Sequence, residues 1–221
     1  MEQISGRPTT GRDTLLVSSA YPAIKRTIDI IGASALMVVL SPAFAMIAAA
    51  IVAHGGLPII YRCQRLGRHG GPIEVLKFRT MHNGSHHHLE ELLTADEEWR
   101  LEYGVNRKLR DDPRRTRFGA FLRRYSLDEL PQLWNVLIGE MSLVGPRPYM
   151  PDELRGRPEA GTLLSVRPGI TGLWQVNGRS DRTFEERVAL EVDYVRREGF
   201  RLDVSIVLRT FGAVISGRGA Y

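Results

Sequence analysis

The chain has one cysteine, Cys63, among its 221 residues, so it cannot form an internal disulfide and suits a reducing compartment. It also lacks a glycine-rich loop ending in lysine, which excludes the P-loop route to phosphate chemistry. No G-x-S-x-G elbow is present, which removes a common hydrolase arrangement. Zinc-finger spacing and an aromatic RNA-binding signature are missing too, so nucleic acid is not expected as a partner.

Charged residues are absent from one long stretch, the 24 residues from Ile30 to Ala53, which Ser41-Pro42 interrupts at its midpoint. A bilayer core of about 30 Å needs ~20 helical residues, but proline disturbs a helix because it lacks a donor and crowds the preceding turn. Each half has 11 residues, which corresponds to about 16 Å of helix. Each half can therefore cover one leaflet, and the Ser41 hydroxyl can bond a carbonyl that the bend releases.

Cations flank this stretch at both ends, with Lys25 and Arg26 before it and Arg62, Arg65 and Arg68 after it. Cytoplasmic flanks of membrane segments are rich in Lys and Arg. The symmetry predicts a re-entrant helix-break-helix that enters and leaves on the cytoplasmic side. A single span with a proline kink is the alternative.

These patterns divide the chain into three parts. Residues 1–24 are polar and contain several small residues, which predicts a mobile tail and not a signal peptide. Residues 25–57 form the re-entrant membrane element, and residues 58–221 form one cytoplasmic domain with interfacial helices. The expected fold class is α+β and mainly helical, in which the membrane element precedes a small β-hairpin and a compact helical domain.

Local periodicity places the elements of residues 58–221. Two short strands are predicted at Ile59–Gln64 and Ile73–Met81, around a glycine-rich turn. A charged connection follows, with a helix from about Leu89. Further helices are predicted at Phe118–Tyr125, Pro131–Ile138, Thr183–Glu198 and Val204–Ile215. The second of these is expected to bury a stripe formed by Leu130, Leu133, Trp134 and Leu137. The last helix can pack inside the domain or lie on the bilayer.

The positive charge is concentrated locally. Eight arginines and lysines between Arg107 and Arg124 face only two carboxylates, Asp111 and Asp112. Nucleic acid, anionic lipid and a phosphorylated substrate can all explain such a segment. The apolar stretch favours lipid or phosphate over nucleic acid, and a solvated basic face is the remaining alternative.

The run from Ser126 to Asn135 carries the most suggestive chemistry. Adjacent carboxylates, Asp128 and Glu129, stand just before a helix that Pro131 can begin. Because Arg123 lies one turn upstream, this arrangement can hold a divalent cation and a phosphate together. The alternative is a capping box in which Ser126 and Glu129 only start the helix.

Other basic and amide side chains are candidates for substrate binding. Lys77 and Arg79 share one face of the second strand, either as a phosphate clamp or as its polar outer face. A proline-rich turn presents Arg147. The segment 167–179 carries Gln175, Asn177 and Arg179, a mixture that suits a base and ribose but also suits a buried irregular segment.

Four histidines, at positions 82 and 86–88, lie close together. No cysteine or carboxylate frame near them is spaced for tetrahedral ligation, so a solvated loop is the preferred interpretation.

Together these runs resemble the bacterial sugar transferase family, the monotopic polyprenyl-phosphate phosphoglycosyl transferases, from about residue 25 to the end of the chain. The similarity is greatest to the galactosyl-phosphate transferases of exopolysaccharide synthesis. The matching stretches are Lys25-Arg26-x-x-Asp29, Ser41-Pro42, Lys77-Phe78-Arg79-Thr80-Met81, residues 126–135, Gly139-Glu140-Met141-Ser142, Val144-Gly145-Pro146-Arg147-Pro148 and residues 167–179.

The resemblance implies transfer of hexose-1-phosphate, with galactose favoured, from a UDP-sugar to undecaprenyl phosphate with release of UMP. It implies that Asp128 is the nucleophile of a phosphosugar-aspartyl intermediate and that Glu129 is a base or a partner in binding Mg²⁺. It also implies a place at the cytoplasmic face of the bacterial inner membrane, as the first membrane step of exopolysaccharide synthesis. A homo-oligomer is possible.

The same resemblance gives residues 58–221 the role of catalytic domain. Lys77, Arg123 and Arg147 would hold phosphates. Two later acidic positions of the family fall on Glu191 and Asp203, and Glu191 departs from the aspartate common in relatives. A function of another class, a non-catalytic basic scaffold tethered to the membrane, is the alternative to the enzyme.

Overall fold

The computed structural model describes residues 12–82, 84–85, 87–106, 109 and 111–217. It begins with two helices, α1 (Arg12–Val39) and α2 (Ser41–Gly55), which contain the two halves of the apolar stretch. Pro42 lies in the first turn of α2, where a backbone N–H has no partner to lose. The Ser41 hydroxyl donates to the Val38 carbonyl over 2.8 Å, which confirms the hydrogen bond expected at the break.

The start of α1 corrects the boundary drawn from the sequence. Residues 12–24, expected to belong to a mobile tail, are helical, while residues 1–11 lie outside the described residues. No glycine interrupts residues 12–24, and Pro22 lies inside α1, where it removes one backbone hydrogen bond without ending the helix. A mobile tail was predicted from polar composition, but polar residues alone do not prevent a helix from forming.

No helix in the described ranges is long and apolar enough to cross a bilayer alone. The segments Tyr21–Val39 and Ser41–Gly55 reach the required length and hydropathy only as a pair, and they are bent by 61° at the break. Their large apolar side chains are exposed to an extent that a water-facing surface would not favour. These exposed residues include Ile24, Ile28, Ile30, Ile31, Leu36, Val38, Val39, Met46 and Val52.

The inner face of α1 is attached to the rest of the protein by polar contacts. Arg26 donates to the carbonyls of Val136 and Leu137 over 2.6 and 2.8 Å. The buried Asp29 accepts hydrogen bonds from the Ser142 hydroxyl and the Leu143 amide. Since these contacts are charge-assisted, they fix the helix in one orientation more strongly than apolar packing alone.

Two small sheets follow. Strands β1 (Ile60–Leu66) and β2 (Pro72–Phe78) form the predicted antiparallel hairpin, with Cys63 opposite Val75. Strands β3 (Ser142–Val144) and β4 (Gly169–Thr171) form a short parallel pair that the sequence did not predict, because three-residue strands have too little periodicity to detect. A Cβ at Gly169 would overlap the backbone of Gly145, so glycine permits this close approach.

The remaining helices surround these sheets. They are α3 (His87–Ala95), α4 (Glu97–Asn106), α5 (Arg117–Arg124), α6 (Gln132–Ile138), α7 (Ala160–Leu163), α8 (Phe184–Arg197) and α9 (Phe200–Ser216). The predicted helices near 118, 131, 183 and 204 are confirmed as α5, α6, α8 and α9, and Thr183 forms the predicted capping box with Glu186. The helix predicted from Leu89 is two helices, because Asp96 accepts from the amides of Glu98 and Trp99 and starts a new one.

The core joins α1 and α2 to the rest of the protein. One cluster consists of Ala33, Cys63, Val75, Leu133, Val136 and Met141, and another of Ile47, Ile51, Phe78 and Leu122. The predicted stripe of α6 is therefore partly wrong. Leu133 is buried as predicted, but Trp134 is 50% exposed, and Val136, which was not part of the predicted stripe, faces the core.

We expect Gly119→Ala to lower the free energy of unfolding by about 1–3 kcal/mol or more, as overpacking does. Gly119 faces the backbone of Thr80, and a Cβ there would overlap the Thr80 carbonyl oxygen. Thermal unfolding in detergent measures the effect. Gly104→Ala in α4 is the matched control, because no atom lies within 4 Å of its Cβ position. Equal melting temperatures for the two variants would contradict the packing of α5 on Thr80.

Candidate active site

Asp128 and Glu129 lie on a single 3-10 turn, Leu127–Glu129, directly before α6. Ser126 precedes this turn with a φ of 55°, a left-handed conformation that is uncommon for residues other than glycine. The Ser126 side chain makes no capping hydrogen bond, so the capping-box interpretation of Ser126 and Glu129 is wrong. The turn places Asp128 in the interior, where it is only 6% exposed.

Lys77 of β2 lies against both carboxylates. Its Nζ donates to Glu129 Oε1 over 2.6 Å and stands 3.9 Å from Asp128 Oδ2. Burial lowers the pKa of Lys77, but the charges of Glu129 and Asp128 outweigh that effect and leave the pKa above its ordinary value. The ammonium therefore stays charged at neutral pH and offsets part of the negative charge of the pair.

Asn135 of α6 is the residue that brings β2 to this position, and no individual role was predicted for it. Its side-chain oxygen accepts from the Leu76 amide, and its nitrogen donates to the Glu74 carbonyl. Both groups belong to the free edge of β2. Because Leu76 adjoins Lys77, these bonds fix the lysine relative to the turn that carries the acidic pair.

Arg123 of α5 is a second cation beside the pair. Its Nε donates to the Thr80 hydroxyl over 2.9 Å. Burial lowers the pKa of Arg123, and the charges of Asp128 and Asp112 oppose the shift, which places the guanidinium within the field of Asp128. Arginine remains protonated in any case.

Arg179 is a third cation, contributed by the 3-10 turn Arg179–Asp181. It is 7% exposed, and its Nη2 lies 3.5 Å from the Ser126 hydroxyl. Burial lowers the pKa of Arg179 and the charge of Glu129 opposes this. Its Nη1 is buried with no hydrogen-bond partner among the described residues. A buried donor of this kind is costly unless a ligand accepts from it.

The structure thus brings together five of the residues predicted for the site: Asp128, Glu129, Lys77, Arg123 and Arg179. Three cations from separate parts of the chain surround two adjacent carboxylates. Guanidinium and ammonium groups in this arrangement are suited to bind phosphate oxygens. A carboxylate among them is suited to act as a nucleophile or as a metal ligand.

Other predicted residues have partners elsewhere. Arg79 donates to the Gly56 carbonyl at the end of α2 over 2.7 Å, so the structure separates it from its predicted clamp partner Lys77. Gln175 donates to Ile170, and Asn177 donates to Leu173, both within the loop that carries them. Their predicted contacts with a base and ribose stay predictions.

Arg147 is held by two acidic residues. Its side chain pairs with the buried Glu153 over 2.9 Å, and its backbone amide donates to Glu191 Oε1 over 2.6 Å. Tyr149 also donates to Glu191. The sequence pointed to Arg147 and Glu191 but missed Glu153, whose position six residues after Arg147 in a proline-rich loop gave no periodic signal.

Asp203 of α9 lies beside α1, at Tyr21 and Lys25. It accepts from Lys25, Tyr21 and Tyr194. These contacts tie α9 to α1, and a role of Asp203 in substrate binding stays a prediction. The structure therefore places Glu191 and Asp203 in buried hydrogen-bond networks of their own.

The acidic pair fits the requirements of Mg²⁺ only with help from substrate. No group of three or more His, Cys, Asp or Glu side chains in the described ranges is arranged to hold a metal. Mg²⁺ is commonly bound by one or two carboxylates while substrate phosphates and water supply the other ligands. Asp128 and Glu129 meet that condition, and the Lys77 bond to Glu129 would have to loosen when a cation binds.

A cavity of about 420 Å³ lies next to Glu153, the residue that pairs with Arg147. Its walls include Glu153, the partner of Arg147, and the ring of Phe184, together with Arg157, Asp152 and Glu185. None of the five site residues, Asp128 and its four neighbours, lines this cavity. The cavity is therefore not part of the cluster around the acidic pair.

We expect the stability of the protein to fall as pH rises from about 4.5 to about 7, in part because of Glu191. Burial raises its pKa from 4.5 to about 7, although the hydrogen bonds from Tyr149 and Arg147 oppose the shift. In that window the folded state binds more protons than the unfolded state. Glu191→Gln should remove up to about 3 kcal/mol of this loss.

Thermal unfolding between pH 5 and pH 8 tests this expectation. The melting temperature of Glu191→Gln relative to the wild type should increase with pH. Asp193→Asn, on the same helix and half-exposed, should follow the wild type. Parallel curves for Glu191→Gln and the wild type would show that Glu191 does not titrate as expected.

Comparison with known proteins identifies the family. A profile described as bacterial sugar transferase matches residues 20–217. The UDP-galactose-lipid carrier transferase of Erwinia amylovora is 45% identical over 199 residues, which cover 90% of this chain and 42% of that protein. The exopolysaccharide production protein ExoY of Rhizobium meliloti is 42% identical over 198 residues, 89% of this chain and 88% of that protein.

The UDP-glucose:undecaprenyl-phosphate glucose-1-phosphate transferase of Escherichia coli is 35% identical over an alignment that covers all of this chain and 46% of that protein. The chain thus spans less than half the length of two of these relatives and most of the third. The match to the family profile and to a relative of similar length agrees with the resemblance expected from the motifs. The chain belongs to the bacterial sugar transferase family.

Proposed function

We propose that this protein transfers hexose-1-phosphate from a UDP-hexose to undecaprenyl phosphate and releases UMP. The observation that carries the proposal is the buried Asp128, adjacent to Glu129, among Lys77, Arg123 and Arg179. A non-catalytic scaffold has no need of a buried carboxylate next to cations. The names of the relatives, which refer to a lipid carrier, undecaprenyl phosphate and exopolysaccharide, support the same substrates.

The proposed reaction has two displacements at one phosphorus atom. First, the Asp128 carboxylate attacks the phosphorus that bears the sugar, and the bond from that phosphorus to the oxygen bridging it to UMP breaks. UMP leaves with the electron pair on that oxygen. Then an oxygen of undecaprenyl phosphate attacks the same phosphorus, and the bond to Asp128 breaks, which restores the carboxylate. A covalent intermediate divides one difficult step into two easier ones.

The cations have a defined task in this scheme. An anionic nucleophile must approach a diphosphate of the same charge, and positive groups that are already oriented stabilise the charge that builds up on the phosphoryl oxygens. Arg123 and Arg179 are fixed near the pair by burial and by their contacts with Thr80 and Ser126. Lys77 lies against both carboxylates, so its charge offsets theirs while Asp128 reacts, and Glu129 beside Asp128 is the candidate base.

Asp128 and Glu129 would hold Mg²⁺, which when bound neutralises charge on the phosphoryl oxygens. The side chains of the protein have three further roles in this scheme. They orient the diphosphate, keep the nucleophile ionised beside cations, and exclude bulk water from Asp128.

The membrane element fits this reaction because the acceptor is a lipid. We propose that α1 and α2 form a re-entrant element at the cytoplasmic face of the bacterial inner membrane, with α9 lying at the interface. Support comes from the 61° bend, the exposed apolar side chains of both helices and the cations at both ends. The exposed apolar residues of α9 are Phe200, Val204, Val207, Leu208, Phe211 and Ile215.

For the hexose we propose galactose. The relative named for UDP-galactose shares 45% identity with this chain, and the one named for UDP-glucose shares 35%. The support for galactose is this difference in similarity alone.

We expect Asp128→Asn to lose UMP release by on the order of a thousandfold or more, as removal of a nucleophile does. Purified protein in detergent is incubated with UDP-galactose, Mg²⁺ and undecaprenyl phosphate, and UMP is quantified. With lipid withheld, intact mass spectrometry should detect a hexose-phosphate adduct on the wild type and none on Asp128→Asn.

Asp111→Asn makes the same chemical change at an exposed site and should keep both readouts. A panel of UDP-sugars in the same assay tests the choice of galactose. Normal turnover by Asp128→Asn would eliminate Asp128 as the nucleophile. Absence of UMP release from the wild type with every donor, together with salt-sensitive liposome binding, would favour the scaffold.

We expect residues on the two sides of the membrane element to be labelled from the same face. Ala23→Cys and Leu57→Cys, both exposed, are placed singly in a Cys63→Ala background. In inside-out vesicles both should react with a membrane-impermeant maleimide, and in spheroplasts neither should. Labelling of the two positions from opposite faces would establish a kinked single span instead, because the flanks would then lie on different sides.

A further inference from the structure

The turn that carries Arg179 has an unusual backbone. Gly178 and Arg179 have φ angles of 116° and 52°, so two successive residues lie in the left-handed region. Such a conformation is disfavoured for a residue with a side chain and persists only where surrounding contacts hold it. The direction of the Arg179 guanidinium, toward Ser126 and Glu129, depends on this backbone.

Most bonds that hold the turn are local. The amides of Asn177 and Arg179 both donate to the Trp174 carbonyl, and Arg182 donates to the Asn177 carbonyl. Local bonds close the turn, but they do not fix its position relative to the rest of the domain. A contact from a distant part of the chain is needed for that.

Arg209 of α9 supplies such a contact. Its Nη2 donates to the Val176 carbonyl over 3.0 Å and to the Asn177 side-chain oxygen over 2.7 Å. One residue further along α9, the Thr210 hydroxyl lies 2.8 Å from that of Thr171, at the end of β4. Arg209 is exposed at the surface and does not contact the acidic pair itself.

The other end of the connection is the membrane element. Asp203 in the first turn of α9 pairs with Lys25 and accepts from Tyr21, both on α1. One helix therefore links α1, through Asp203, with the turn of Arg179, through Arg209. Because a helix is stiff over these few residues, the position of one end constrains the other.

We propose that Arg209 is a positioning residue that holds the 176–179 turn so that Arg179 faces the acidic pair. The inference rests on the proposed function, in which Arg179 binds a phosphate of the donor. Arg209 acts through Asn177 and Val176 and has no contact with substrate. It makes α9 part of the active-site framework as well as a surface helix.

Two measurements test the proposal, and only one of them needs activity. Hydrogen exchange of a peptide covering residues 174–182 should be faster in Arg209→Ala than in the wild type, because four amides of that segment bond within the turn. UMP release by Arg209→Ala should fall roughly tenfold in kcat with little change in the amount of protein bound to liposomes, in line with the cost of a misplaced binding group.

Matched variants separate positioning from loss of charge. Arg201→Ala removes the same charge from the same helix, and Arg201 makes no hydrogen bond or ion pair with the described residues, so it should behave as the wild type in both assays. Arg209→Lys keeps the charge and one donor direction and should recover part of the rate. In an Arg179→Ala background, Arg209→Ala should cause no further loss of kcat, since the group it positions is gone.

The outcomes are distinct. Unchanged exchange in residues 174–182 of Arg209→Ala would overturn the inference whatever the activity. Faster exchange with a normal rate would overturn it too, because Arg179 would then not need the contact. If the wild type releases no UMP from any donor, the proposed function fails, and the exchange data alone decide whether Arg209 holds the turn. Should Arg209→Ala not fold, Arg209→Gln provides the same comparison with a milder change.

Discussion

The site depends on the neutralisation of two adjacent carboxylates by cations from three separate parts of the chain. Lys77 comes from β2, Arg123 from α5 and Arg179 from the turn before α8. An interior carboxylate without such partners would be strongly destabilising, so the acidic pair can exist here only if these three elements meet. The fold and the charge balance of the site are therefore coupled: the packing that brings the cations together also makes the buried carboxylate tolerable.

Helices α1 and α2 are fixed to this framework by hydrogen bonds to backbone groups as well as by apolar packing. Arg26 binds the last carbonyls of α6, the helix whose other end follows Glu129. A cation at a helix C-terminus satisfies carbonyls that lack intrahelical partners and also interacts favourably with the helix dipole. The seven-residue α6 thus separates the acidic pair from the contacts of Arg26 on α1, and Asp29 adds a second contact between α1 and β3.

Regular patterns in the sequence predicted most of the secondary structure, and the failures share a cause. Alternation located β1 and β2, and helical spacing with caps located α5, α6, α8 and α9. The residues at Ser126 match a capping box, but tertiary contacts impose a left-handed turn there instead. Trp134 matches the apolar stripe of α6, yet it is exposed because the Arg26 side of the helix faces α1. Local sequence patterns specify the elements, but which face is buried depends on partners far along the chain, such as Arg26 for α6.

Positive φ values at Ser126 and Arg179 bear on how the site is held. These are two of the few residues other than glycine in the described ranges that adopt such angles, and their side chains are within 3.5 Å of each other. Each conformation costs about 1–3 kcal/mol, which the surrounding structure must supply. Glycine at either position would relieve the strain, but it would also remove the hydroxyl or guanidinium that faces the acidic pair. The backbone strain therefore accompanies the side chains that the site uses. The long-range hydrogen bonds from Arg209 of α9 add to the local bonds that stabilise the turn of Arg179.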